Sequence, residues 1–299
     1  MECSRIALGQ GAISVSRVIA GMWRMADWGM DVQARAGLIE ACMEMGVTTF
    51  DHADIYGDYT VESLFGEALH KLPGMRDKME IISKCGIKLI SDKRPAHNVN
   101  HYDTTAAHIQ ASVETSLKNL GTEYLDILLI HRPDPLMNYD EMAEAFTRLH
   151  TEGKVRHFGV SNFTAVQFAA MHKRFPLVTN QIELSPVNVE AIEHGLLDVM
   201  QDLAVPPMIW SALGGGQLFA SDRQDTPLMR LLQTVAADLG VTVAMVIYAW
   251  LMKLPSRPIP LTGTGKVQGI RDAVAATRLD LDRMTWFRIY EAIRGHEVA

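Results

Sequence analysis

Short apolar runs alternate with longer segments of helical spacing from residue 18 almost to the end of the chain. The runs that read as strands are Arg17–Ala20, Thr48–Asp51, Glu80–Lys84, Asp126–Ile130, Arg156–Ser161, Val178–Ile182, Pro207–Trp210 and Pro258–Leu261. Most are apolar at consecutive positions, as expected of parallel strands covered on both faces. The helical segments between them are Val32–Met45, Thr104–Leu120, Tyr139–Thr151, Thr164–Lys173, Val189–Leu203, Leu228–Leu239 and Thr242–Leu254. Several open on a threonine suited to an N-cap, and most stop at a glycine or proline. A further helix is expected from about Val267.

Eight strands alternating with helices in a chain of 299 residues predict an α/β fold, a (β/α)8 TIM barrel. The rival is an open doubly wound sheet. No Gly-x-Gly-x-x-Gly follows the first strand, which speaks against its dinucleotide-binding form. Ile6–Val18 reads as a short β-hairpin placed to plug one end of the barrel. No linker interrupts the pattern, so residues 1–299 are expected to form one domain.

Composition narrows the partners. Lys and Arg total 28 against 35 Asp and Glu, a formal charge of -7, and no basic run stands out. Nucleic acid is therefore not an expected partner. The sparse cysteines Cys3, Cys42 and Cys85 make neither a disulfide framework nor a Cys-x-x-Cys metal knuckle. The start of the chain lacks the basic-then-apolar pattern of a signal peptide. The longest apolar run, Val243–Met252, is too short to span a bilayer. A cytoplasmic, monomeric protein without membrane contacts is the expectation.

In such barrels chemistry sits at the C-terminal ends of the strands. Those ends carry Asp51 with His52, Asp54 and Tyr56, then Lys84, His131 with Arg132, Ser161 with Asn162, Gln181 with Glu183, Trp210 with Ser211, and Thr262-Gly263-Thr264-Gly265-Lys266. Each has an ordinary reading alone: Asp51 a turn cap, Lys84 a snorkelling surface lysine, His131 a core histidine. Their convergence on one rim is what points to a site. A nearby ammonium lowers a phenol's pKa, a buried lysine needs a carboxylate partner, and a histidine can donate to a carbonyl. Asp51, Tyr56, Lys84 and His131 thus suit protonation of a carbonyl oxygen while hydride arrives from a nicotinamide. His97 and His101, in the rim loop Lys88–Tyr102, have no third ligand at a usual spacing, and no metal is expected. Long loops on this rim usually border the substrate. Trp28 and the stretch Trp286–Ala299 are further candidates to line the pocket.

Phe50-Asp51-His52-Ala53-Asp54-Ile55-Tyr56-Gly57, Ile82-Ser83-Lys84-Cys85-Gly86, Leu129-Ile130-His131-Arg132-Pro133-Asp134, Gly159-Val160-Ser161-Asn162-Phe163 and Asn180-Gln181 together resemble the aldo-keto reductase family. The match keeps order and spacing over essentially the whole chain. His131–Met137, Lys154–Phe163 and Trp210–Gly216 are similar to the bacterial YdhF-type oxidoreductases within it. The resemblance implies a barrel that binds NADPH/NADP+ and reduces a small-molecule carbonyl to an alcohol. It implies Tyr56 as general acid, Lys84 and Asp51 as the groups that tune it, and His131 as the residue that orients the carbonyl. Ser161, Asn162 and Gln181 are implied around the nicotinamide carboxamide, with Trp210, followed by Ser211, against the ring. Gly21-Met22-Trp23 would touch the cofactor, and Trp23 the substrate as well. Leu213, Gly214 and Gly215 would lie over the pyrophosphate. Thr262, Gly263, Thr264, Lys266 and Arg271 would hold the adenosine phosphate. Gly269 stands where relatives commonly carry an arginine.

Two rival functions remain at this level. One is a Schiff-base aldolase with Lys84 as nucleophile. The other is a non-catalytic protein that binds NADP to sense it or to interact with a partner.

Overall fold

The structure, a computed structural model, describes residues 2–299. β1 (Arg5–Leu8) and β2 (Ile13–Ser16) form an antiparallel hairpin. β3 (Ile19–Gly21), β4 (Thr49–Asp51) and β5 (Glu80–Cys85) follow. β6 (Ile87–Lys88) and β7 (His101–Tyr102) pair with each other outside the main sheet. β8 (Leu125–Ile130), β9 (Val155–Ser161), β10 (Asn180–Glu183), β11 (Met208–Trp210) and β12 (Ile259–Thr262) complete the set. β3, β4, β5 and β8 to β12 close into a barrel, and every pairing in it is parallel. The eight expected strands are these, shifted at their ends by one or two residues.

Strand alternation sorts the side chains into two layers. Ile19, Ile82, Ile127, Leu129, Met208, Ile259 and Leu261 pack together inside the barrel. Phe50, Ile81, Leu128, Ile182 and Ile209 belong to the outer core under the helices. The hairpin contributes Ile6, Leu8 and Val15 to the inner cluster, so it does plug the barrel. Arg5 fixes which end: its guanidinium donates to Thr48 Oγ1 and Glu80 Oε1, each at 2.6 Å, at the starts of β4 and β5. The N-terminal mouth is therefore shut, and the C-terminal mouth stays open.

Helices arise largely where the spacing predicts them. Thr105, Thr164, Thr226 and Thr242 each accept a hydrogen bond from a backbone N–H of the first turn, the usual worth of which is about 1 kcal/mol per cap. Two departures have local causes. The expected helix Val189–Leu203 is two pieces, Glu190–Glu193 and Leu196–Asp202, parted at Gly195, whose φ of 72° ends the first. Val61–Leu69 is a helix that no cap side chain announces and that contains Gly66. Glycine weakens a helix, but a Cβ at Gly66 would lie 2.3 Å from the Asn119 carbonyl oxygen. Close packing of this helix on the end of Ala106–Leu120 requires it.

The C-terminal helix Arg283–Arg294 lies away from the open mouth. Trp286 stacks on Trp250 with centroids 5.2 Å apart, and each indole N–H donates to the other residue's carbonyl. The expectation that this stretch lines the pocket is therefore corrected. No single helix among the described residues is long and apolar enough to cross a membrane.

Candidate active site

The open mouth leads into a cavity of about 1020 Å³. Inward positions at or near the C-terminal ends of β4 and β10 bring Asp51 and Gln181 to the floor, and Lys84, inward on β5, lies buried just beneath it. Lys84 and Asp51 are paired at 2.7 Å, with side chains only 1% and 2% exposed. Lys84 Nζ also donates to the His52 carbonyl at 2.8 Å and to Tyr56 OH at 2.9 Å. An ammonium has three donors, so all three are spent. Gln181 Nε2 donates to the other Asp51 oxygen at 2.7 Å. A buried ion pair persists only with its remaining hydrogen bonds satisfied, and here they are.

This arrangement fixes protonation states. Burial opposes the Lys84 charge, but Asp51 and Tyr56 outweigh it, and the ammonium pKa stands above its ordinary value. Burial raises the Tyr56 phenol, and the opposing Lys84 charge does not overcome it. The Lys84 charge lowers the phenol, as expected, but burial outweighs it, and Tyr56 holds its proton. His131 is pushed well below the usual imidazole range by burial, then by the Lys84 and Arg132 charges. It is neutral, its ring 5.8 Å from that of Tyr56, and its Nδ1 is buried without a partner.

A second group forms the adjacent wall. Asn162 Nδ2 donates to Ser161 Oγ, Ser161 Oγ donates to the Gln181 carbonyl, and Trp210 Nε1 donates to Asn162 Oδ1, all within 2.9 Å. Asn162 and Ser211 hold φ values of 59° and 52°, a region uncommon for residues other than glycine. Such strain persists only where surrounding structure enforces it, and both residues face the cavity. The wall continues through Leu213, Gly215 and Gly216 to Thr262, Gly263, Thr264, Lys266 and Gly269. Gly21 and Trp23 close the opposite side.

Four sequence candidates do not reach this wall. Met22 turns outward and is buried in the outer core, because its neighbours Gly21 and Trp23 take the cavity side. Gly214 faces Val187 instead, where a Cβ would lie 2.9 Å from a valine methyl. Arg271 is exposed on a different face of its helix from Gly269. Trp28 packs against Gly265 rather than lining the cavity. Sequence reasoning missed Arg24, Ile55, Ile87, Phe219 and Tyr248, which do line it. Leu89 lines it from the rim loop Lys88–Tyr102, which was expected to border the substrate, and Ile87 lies just before that loop.

The aldo/keto reductase family model matches residues 17–294. The chain belongs to the aldo-keto reductase family. It is 49% identical over 297 residues to the oxidoreductase YdhF of Escherichia coli, covering 98% of this chain and 99% of that protein. It is 44% identical over 301 residues to a 6-dehydroglucose reductase of Agrobacterium fabrum, covering 99% of each. A thermostable aldo-keto reductase solved with the inhibitor epalrestat superposes with a TM-score of 0.82 at 25% identity, over 97% of this chain and 99% of that one.

This aldo-keto reductase has a second cavity, of about 390 Å³, lined by Asp54, Glu62, Lys88 and residues of the helix Ala106–Leu120. Ser112 donates to Asp54 Oδ2 at 2.9 Å, whereas Oδ1 is occluded and unpartnered. Burial, then the Glu62 charge, raises the Asp54 carboxyl to about 8. An unfolded Asp titrates near 3.9, so between these values the folded chain keeps a proton that the unfolded chain releases. This stabilisation is full below the unfolded pKa and is lost as pH rises through the folded one. Asp54→Asn removes the titration. Thermal denaturation between about pH 5 and about pH 8 is expected to show a smaller loss of stability with rising pH in the variant than in the parent. Parallel profiles would mean that Asp54 is not held protonated. His52, on the outer side of β4, packs edge-to-face with Phe65 at a centroid distance of 4.4 Å, and burial with the Lys84 charge lowers it to about 3, so it is a neutral core residue.

Proposed function

We propose that the protein reduces aldehyde or ketone carbonyls to alcohols with NADPH, using Tyr56 as proton donor. The observation that carries this is the direction of one hydrogen bond. Lys84 donates to the Tyr56 oxygen, so the phenol's own proton is left free for an acceptor in the cavity. As that proton leaves, the phenolate forms 2.9 Å from an ammonium already in place, which needs no reorganisation. His131, neutral, lining the cavity and with its ring 5.8 Å from that of Tyr56, is the residue assigned to orient the carbonyl oxygen. Asp51 and Gln181 hold Lys84 charged and aimed. A lysine with a raised pKa and no lone pair is a poor Schiff-base nucleophile, which disfavours the aldolase reading. The intact tetrad disfavours a purely sensing role.

The cavity fits a dinucleotide. It extends from the floor to Thr264 and Lys266, and Gly215 and Gly216 adopt φ of 63° and 94°, which lets backbone approach a ligand closely. When bound, NADPH supplies the hydride. Ser161, Asn162, Gln181, Trp210 and Ser211 are assigned to its nicotinamide end, and Gly21 and Trp23 to the opposite side. Leu213, Gly215 and Gly216 are assigned to the pyrophosphate, and Thr262, Gly263, Thr264 and Lys266 to the adenosine end. A side chain at Gly269 would meet the Thr264 methyl at 2.9 Å, so an arginine there would have to displace Thr264. Lys266 is then the cation left for a 2′-phosphate. A relative named for reducing 6-dehydroglucose supports a carbonyl compound as substrate.

Titration by tryptophan fluorescence tests the cofactor reading. NADPH is expected to bind more tightly than NADH, and Lys266→Ala to shrink the difference. Equal affinities in the parent would overturn the NADP preference.

A further inference from the structure

Arg132 lines the cavity and has no protein counter-charge. Among the described residues it makes no ion pair, and its guanidinium donates no hydrogen bond to protein. It rests over the Trp210 ring, 5.4 Å from the centroid. The carboxylates that line the cavity, Asp51 and Asp58, are committed. Asp51 is held by Lys84 and Gln181. Asp58 is paired with Lys93. Asp134, two residues on, accepts from Thr104 Oγ1 and from the Leu136 N–H. The other two cavity cations lie elsewhere: Arg24 donates to the Gly215 carbonyl, and Lys266 stands beyond the eighth strand at the start of a helix.

A partly buried guanidinium without a partner forfeits hydration for no intramolecular gain. It sits next to His131 in sequence, and its charge is felt by both His131 and Tyr56. Ile55, Ile87, Leu89 and Trp23 supply apolar surface in the same cavity. A guanidinium fork matches a carboxylate in two parallel hydrogen bonds.

We propose that Arg132 is a specificity residue that receives a carboxylate on the substrate, so that the favoured substrates are carbonyl compounds carrying a carboxylate close to an apolar body. This rests on the reductase reading of the same cavity for the reaction, but the anion subsite is testable without turnover.

The test uses benzoate and its neutral counterpart benzamide, titrated into the protein with NADP+ present and followed by tryptophan fluorescence. Benzoate is expected to bind about tenfold or more tightly than benzamide, as suits a charge-assisted bidentate contact. Arg132→Gln should abolish the preference, and Arg132→Lys should restore part of it. Equal binding in the parent, no benzoate binding, or a preference that survives Arg132→Gln would each overturn the proposal. In a kinetic arm, kcat/KM for 3-carboxybenzaldehyde relative to methyl 3-formylbenzoate is expected to fall about tenfold or more in Arg132→Gln, mainly through KM. If benzoate binds through Arg132 while neither aldehyde consumes NADPH, the reductase reading fails and the anion subsite stands. If both aldehydes are reduced with a ratio indifferent to Arg132, the reductase stands and the subsite falls.

Discussion

Tyr56→Phe is expected to lower kcat by about 10²–10⁴, the usual contribution of a positioned general acid, while NADPH binding is retained. Phenylalanine keeps the ring that lies 5.8 Å from His131 and removes only the hydroxyl that Lys84 bonds. No other acidic group of the tetrad can take over. Lys84 has its three protons committed and a raised pKa. His131 is neutral and is pushed further from protonation by two nearby cations. Single-turnover oxidation of bound NADPH by an aldehyde separates the chemical step from binding. A near-parental rate in this variant would remove Tyr56 from the role of proton donor.

Lys84→Met carries the largest expected effect on stability. It leaves Asp51 buried with only the Gln181 amide as a side-chain donor. Breaking a buried pair in this way costs about 3–5 kcal/mol, because the remaining charge is uncompensated. Removing the second charge is expected to recover most of that loss, since replacing a whole buried pair is often close to neutral. The double variant Lys84→Met/Asp51→Asn should therefore unfold in denaturant near the parent midpoint and yet remain inactive. A single variant as stable as the parent would mean that Asp51 is neutral or hydrated. A double variant no more stable than the single one would mean that the loss comes from packing of the lysine stem.

The barrel was legible because its strands are buried on both faces and so read as apolar runs, as in Leu125–Ile130 between β5 and β9. Its reactive floor was legible because polar residues at strand ends have little reason to converge unless something binds there. What stayed hidden depends on rotation and on distant neighbours. Whether Met22 or Trp23 faces the cavity is decided by one step of pleat at the end of a three-residue strand. The resemblance implied Arg271 as a phosphate ligand, but its place on the helix turns it away. The helix Val61–Leu69 was not expected, and only the Asn119 carbonyl, 53 positions along the chain, shows why Gly66 sits within it. The Lys84 charge beside Tyr56 was visible in the motif, whereas the burial that outweighs it was not.

The central claim is hydride transfer to a carbonyl, with the proton supplied by the protein. It is tested most directly by incubating the protein with benzaldehyde and NADPH carrying deuterium at the transferable C4 position, then examining the product by mass spectrometry. The predicted result is benzyl alcohol with one deuterium on the carbinol carbon and consumption of one NADPH per alcohol. Benzaldehyde recovered unchanged beside intact NADPH, or trapped as a borohydride-stable adduct on Lys84, would contradict it.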